Sequence, residues 1–104
     1  MRVRHATLRK NLPGIRRLGL LTSFSRCKRP AVWLHTEAAS EWAAIHVCKR
    51  HHGRLEDVVV LELEVPRRWL TRARRRLWYC KRDLRAARIR NVLSISDLAA
   101  VPVD

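Results

Sequence analysis

Glu62 and Glu64 are two of only nine acidic residues in the chain, and they stand two positions apart near the end of an aliphatic run. Alternation along a strand puts both on one face. A pair of carboxylates there can move a proton or hold a ribose hydroxyl, and the competing use is ion pairing with neighbouring Arg. The second chemical group is a charge run. Residues 67–76 contain six Arg, namely Arg67, Arg68, Arg72, Arg74, Arg75 and Arg76, with Trp69 and Leu70 between them and Arg82 just beyond. Like charges this dense repel one another, and a counter-charged partner relieves the repulsion. These seven are the candidate nucleic-acid contacts. A third set, Cys48, His51 and His52, could present Cys48 and His52 at i,i+4 from a helix end, but it lacks the paired CxxC or HxxxH arm of a zinc site. Cys48 reads instead as core and the histidines as cations at a helix C-terminus, so no metal is expected.

The whole chain has 104 residues, 23 Lys+Arg against 9 Asp+Glu and a net charge of +14. That length is one domain. At 47% hydrophobic residues with four Trp, it can bury a modest core and is not a disordered basic tail. Nineteen of the 23 basic residues are Arg, whose fork matches phosphate oxygens and whose plane stacks on rings. Phosphate-bearing partners follow, whether a polynucleotide or a dinucleotide. Three separated cysteines form no disulfide framework, which fits a reducing compartment and a cytoplasmic protein. Apolar runs such as Val58–Leu61 fall far short of the roughly 18–20 residues that cross a bilayer, and Met1-Arg2-Val3-Arg4 does not open a signal peptide. No membrane partner is expected.

Several elements must position these groups. Alternation of Val3, His5 and Thr7 against Arg2, Arg4 and Ala6 predicts a first strand over 2–7. Asn11 can cap a short helix with Pro13 in its first turn and Leu12, Ile15 and Leu18 as its stripe, stopped by Gly19. A flexible, basic loop over about 20–30 is long enough for function. Residues 31–35 read as a brief strand, and Thr36 caps the best helix, which ends at His52 before Gly53. Ala38, Trp42 and Ile45 form its apolar stripe, with Cys48 at the border. Residues 57–66 are the clearest strand, with Val59, Leu61, Leu63 and Val65 on its apolar face. The basic run 67–76 is expected to form a helical turn or two, 77–80 a strand, 83–89 a turn with one helical coil, and 91–95 a last strand. Helix and strand signals alternate too seldom for a doubly wound parallel sheet, which leaves a compact α+β domain.

The order of the pieces resembles a known superfamily. His5-Ala6-Thr7, then Asn11-Leu12-Pro13-Gly14-Ile15 running to Leu18-Gly19-Leu20, then Arg29-Pro30-Ala31-Val32-Trp33-Leu34-His35-Thr36, open the series. Val59–Pro66, Leu77-Trp78-Tyr79 and Asp83–Ile89 complete it. Together they look like the catalytic lobe of the ADP-ribosyltransferases, most similar to the RNA 2′-phosphotransferase branch and to nucleic-acid-targeting ADP-ribosyltransferase toxins. The resemblance spans about nine-tenths of the chain, although each piece alone is weak.

What it implies is a small bent, split antiparallel sheet with two or three short helices, holding NAD as a substrate in a cleft without a Rossmann fingerprint. Nicotinamide leaves and ADP-ribose passes to an RNA or DNA acceptor. Carried over by motif, His5 hydrogen-bonds the adenosine-side ribose, Thr7 supports the first strand beside the NAD, and Arg29 meets a phosphate. Trp33 or Tyr79 can stack on nicotinamide, and Glu62 or Glu64 can hold a ribose hydroxyl as oxocarbenium character develops. Residues 77–82 contain no Glu where the superfamily carries its late catalytic one, and the phosphotransferase branch relies on basic residues instead. That branch's amino-terminal RNA-binding lobe is absent from the series, and the basic stretch 67–82 would stand in for it. The alternative is a non-catalytic, basic nucleic-acid-binding module on a degenerate version of the same fold.

Overall fold

Val58–Glu64 is the most aliphatic stretch of the chain, and it forms a strand whose first four residues are wholly buried. The computed structural model describes residues 1–24 and 30–99. Along them run β1 (Arg2–Leu8), α1 (Leu12–Leu18), β2 (Val32–His35), α2 (Ser40–Arg50), β3 (Val58–Glu64), β4 (Leu70–Arg74), β5 (Leu77–Cys80), β6 (Ile89–Ser94) and α3 (Ile95–Ala99). The strands make one antiparallel sheet in the order β4-β5-β2-β1-β3-β6. The protein is an α+β domain of six strands and three helices among the described residues.

The joints of this sheet are unequal. β1 and β3 pair continuously from Arg2↔Glu64 to Leu8↔Val58, whereas β1 meets β2 at one partner pair, Arg4↔His35. The sheet is thus two three-stranded halves, β4-β5-β2 and β1-β3-β6, held edge to edge by a narrow seam.

Period-two alternation sorts the core onto the two faces. Val3, Val59, Leu61 and Leu63 join Val32, Leu34, Trp78 and Cys80 on one face, where Leu12 and Ile15 of α1 pack against them. Leu8 and Val58 face the other way onto Ala44, Val47 and Cys48 of α2 and Ile95 of α3. On that second face Arg4 locks β1 to its neighbours. Its Nη2 and Nε donate to Glu62 Oε2 at 3.1 and 3.3 Å, and its Nη1 donates to Ser40 Oγ at 3.0 Å at the start of α2.

Some expectations change for local reasons. Asn11 stands at the N-cap of α1 but makes no side-chain cap bond, and its Nδ2 donates to Thr7 Oγ1. Thr36 precedes a 3-10 turn, Glu37–Ala39, so α2 begins at Ser40 and ends at Arg50. The left-handed residue after it is His52, with φ 52, while the Gly53 amide donates back to the Cys48 carbonyl. Residues 67–76 are mainly extended: one 3-10 turn, Arg67–Trp69, leads into β4. Pairing of Leu70 with Cys80 and Thr71 with Tyr79 recruits this segment to the sheet and overrides its helical tendency. Ala38, Trp42 and Ile45 are all exposed, Trp42 by 57%, so the expected apolar stripe of α2 faces outward. Ala43 and Ala44 face the sheet in its place. In the expected loop over 20–30, Leu20 bridges to Leu84 and Thr22–Phe24 forms a 3-10 turn; residues 25–29, including Cys27 and Arg29, lie outside the described residues.

Gly19 ends α1 as expected, with φ 80, and a Cβ there would overlap the Leu84 carbonyl that bonds Leu20. Gly14, inside the same helix, has nothing within 4 Å of a Cβ position. The two glycines should therefore respond oppositely to alanine. Gly19→Ala should lower stability by more than about 1 kcal/mol, and Gly14→Ala should raise it by about 0.5–1 kcal/mol, both read from urea unfolding midpoints.

Candidate functional site

The narrow seam leaves backbone groups of β1 and β2 to find other partners. One of them is the Trp33 carbonyl. His5 supplies its hydrogen bond, with Nδ1–H donating to Trp33 O at 2.7 Å. A carbonyl only accepts, so the imidazole proton lies on Nδ1 and Nε2 is left as an acceptor. Burial holds the His5 imidazole below its usual range, and the bond to Trp33 offsets part of that effect. At neutral pH the ring is uncharged.

A cleft of about 610 Å³ opens at this seam. β1 lends it His5, Ala6 and Thr7, the approach to α1 lends Lys10 and Asn11, and α1 with its stop lends Gly14, Ile15 and Gly19. Val32 and Trp33 close it from β2, and Val47, Arg50 and His51 from the end of α2. Thr7 is buried with its hydroxyl accepting from Asn11 at 3.2 Å, which fixes the first strand against the start of α1. Lys10 and Arg50 make the lining basic, and no carboxylate lines the cleft among the described residues. The geometry offers a neutral acceptor, cationic groups and aromatic and aliphatic walls. That set can take a molecule with hydroxyls, phosphates and planar rings.

A smaller cavity of about 320 Å³ adjoins the cleft. It shares His5, Trp33 and Arg50 with it and adds His35, Trp42, His46 and Leu77. His35 is 4% exposed. Burial, then the nearby His5 and Arg4, lower its pKa to about 4.

The sequence candidates divide among several places. His5, Thr7 and Trp33 meet in the cleft, and Arg29 lies outside the described residues. Tyr79 lines neither cavity; it is the cross-strand partner of Trp33, ring centroids 5.3 Å apart and tilted by 47°. Glu62 and Glu64 also line neither cavity. Glu62 is buried and accepts from Asn91 Nδ2 at 2.9 Å and from Arg4, and these partners hold its carboxyl below the usual range, with the Asn91 bond the largest cause. Glu64 pairs with the amino terminus and with Arg2, both at 3.6 Å.

The basic candidates gather around β4 and β5. Arg67, Arg68, Arg72, Arg74, Arg75, Arg76 and Arg82 are all exposed. Several are organised by indoles. Arg67 lies 4.4 Å from the Trp78 ring centroid, and Arg82 and Arg88 lie 4.6 and 4.4 Å from that of Trp69. Arg72 donates to the carbonyls of Arg74 and Arg75, which pins the hairpin tip. The result is an outward-facing edge of fixed guanidinium planes, suited to phosphate contact.

Lys10, Asn11, Gly19 and Arg50 line the cleft although sequence reasoning did not assign them there. His51 reads from sequence as a helix-terminal cation, and the signal for Arg50 is the i,i+4,i+8 series Trp42, His46, Arg50 that lines the adjoining cavity.

The neutral histidines give a pH dependence. A His whose folded pKa is below 6.5 contributes stability that is complete above 6.5 and lost as pH falls toward the folded value. His35 should cost the fold about 3 kcal/mol between pH 6.5 and about 4. Urea midpoints across this window should fall with pH in the wild type and fall less in His35→Leu; equal slopes would contradict the assignment. Compared with known proteins, the chain matches no family model and no curated sequence.

Proposed function

We propose that the chain transfers ADP-ribose from NAD to a phosphate-bearing or nucleic-acid acceptor, in the manner of the RNA 2′-phosphotransferases and nucleic-acid-modifying ADP-ribosyltransferases that its motif order resembles. The observation that carries the reading is the position of His5: the histidine of His-x-Thr stands at the seam of the sheet, neutral, with Nε2 as an acceptor in a cleft of about 610 Å³. That volume is within the ordinary range for a dinucleotide-sized ligand. His5 accepts from a ribose hydroxyl, Lys10 and Arg50 meet the diphosphate, and Trp33 offers a ring wall. Loss of nicotinamide leaves cationic character on the ribose, and the acceptor oxygen attacks there. The basic edge around β4 and β5 holds the polyanionic acceptor.

A second reading has its own support. Glu62 and Glu64 are engaged by Arg, Asn91 and the amino terminus, and the described lining has no carboxylate. A sheet that keeps the cleft without an acidic group is what a non-catalytic nucleic-acid-binding module would have.

Calorimetry separates the two. Under the first reading the full chain binds NAD, and His5→Ala weakens that binding about tenfold and abolishes transfer to 2′-phosphorylated RNA or mixed nucleic acid. Absence of NAD binding by folded protein would sink it in favour of the second. Under either reading, Arg68, Arg74 and Arg75 changed together to Gln should reduce the slope of log affinity against log salt by about 2–3, while His5→Ala leaves duplex affinity unchanged.

A further inference from the structure

Trp42 is a large aromatic side chain left 57% exposed on the longest helix of the fold. Its indole lies nearly parallel to the His46 imidazole, centroids 5.4 Å apart at 18°. Arg50 follows one turn later, so a flat stacked pair and a guanidinium occupy one stripe of α2. This stripe walls the cavity of about 320 Å³, and Trp33 and His35 wall it from β2.

We propose that this cavity receives an unpaired nucleobase of a single-stranded nucleic acid. The base stacks on the exposed Trp42 indole, which His46 backs, and its phosphate meets Arg50. Two requirements are met on the surface of the cavity: an exposed π-face for stacking and a cation for the phosphate. The volume lies at the low end for ligand pockets, which suits one ring system and not a second dinucleotide. A net charge of +14 favours a polyanion over a peptide carrying an aromatic side chain. A base inside a duplex presents neither face, so the site selects unpaired nucleotides. The role of this nucleotide as the acceptor rests on the transferase reading, since the cavity shares His5, Trp33 and Arg50 with the NAD cleft and sets its occupant beside it. Binding of the base does not require NAD.

The test titrates the full chain with a ten-nucleotide single strand of mixed sequence and with the duplex of the same sequence, at one fixed salt concentration. Tryptophan fluorescence and the anisotropy of a labelled strand are the readouts. The single strand should quench the wild-type emission more than the duplex does. Trp42→Ala should bind the single strand about tenfold more weakly, Trp42→Phe should retain most of the affinity, and duplex affinity should be the same in all three. Trp42 is largely exposed, so its replacement leaves the core intact. Unchanged single-strand affinity in Trp42→Ala, or an equal loss on single strand and duplex, would overturn the proposal. NAD binding measured on the same wild-type sample tests the transferase reading separately, because the quenching is expected with or without it.

Discussion

The structure turns on the narrow joint between β1 and β2. Buried backbone carbonyls need donors, and where two strands stop pairing after Arg4↔His35 the missing ladder must be replaced. At Trp33 the replacement is a side chain, the His5 imidazole. That exchange has three consequences. It fixes the tautomer of His5, it sets the ring between the two halves of the sheet, and it leaves a cleft of about 610 Å³ there. A fully zipped sheet would have satisfied Trp33 from β1 backbone and closed the cleft.

An open joint puts a demand on the rest of the fold, because two three-stranded halves must stay together with little shared pairing. Arg4 stiffens the β1-β3-β6 half, tying β1 to Glu62 on β3 and to Ser40 on α2. On the opposite face the continuous apolar cluster from Val3 and Leu61 to Leu34 and Trp78 spans both halves. The large positive charge is therefore not one feature. Arg2 and Arg4 are paired with carboxylates inside or beside the sheet, Lys10 and Arg50 line the cleft, and Arg67, Arg82 and Arg88 lie over indoles on the outer edge.

Much of this was legible in the residues. The alternation of Val59, Leu61, Leu63 and Val65 identified the face that meets the main core, because a buried strand leaves a period-two trace. Gly19 marked the end of α1 because its conformation and close approach exclude a side chain. His5, Thr7 and Trp33 were identified by motif order and do meet at one cleft. The failures have physical sources too. Trp42 looked like core because size and spacing describe an apolar stripe, yet Ala43 and Ala44 permit the close approach of α2 to the sheet and push the indole outward. The 67–76 run looked helical from its composition, while hairpin pairing with Leu77–Cys80 decided it. Glu62 and Glu64 could be placed on one face, but sequence spacing could not show that Arg2, Arg4, Asn91 and the amino terminus would engage them there.

The central claim is that the seam between β1 and β2 is a ligand cleft for NAD. Amide and indole N–H shifts of the isotopically labelled full chain, followed as NAD is added, test it most directly. The account predicts saturable changes at His5, Thr7, Gly19, Arg50 and the Trp33 indole N–H, with the outer strand β6 at Asn91 and Val92 unmoved. No change at the seam, or changes confined to the arginines of the β4–β5 hairpin, would contradict it.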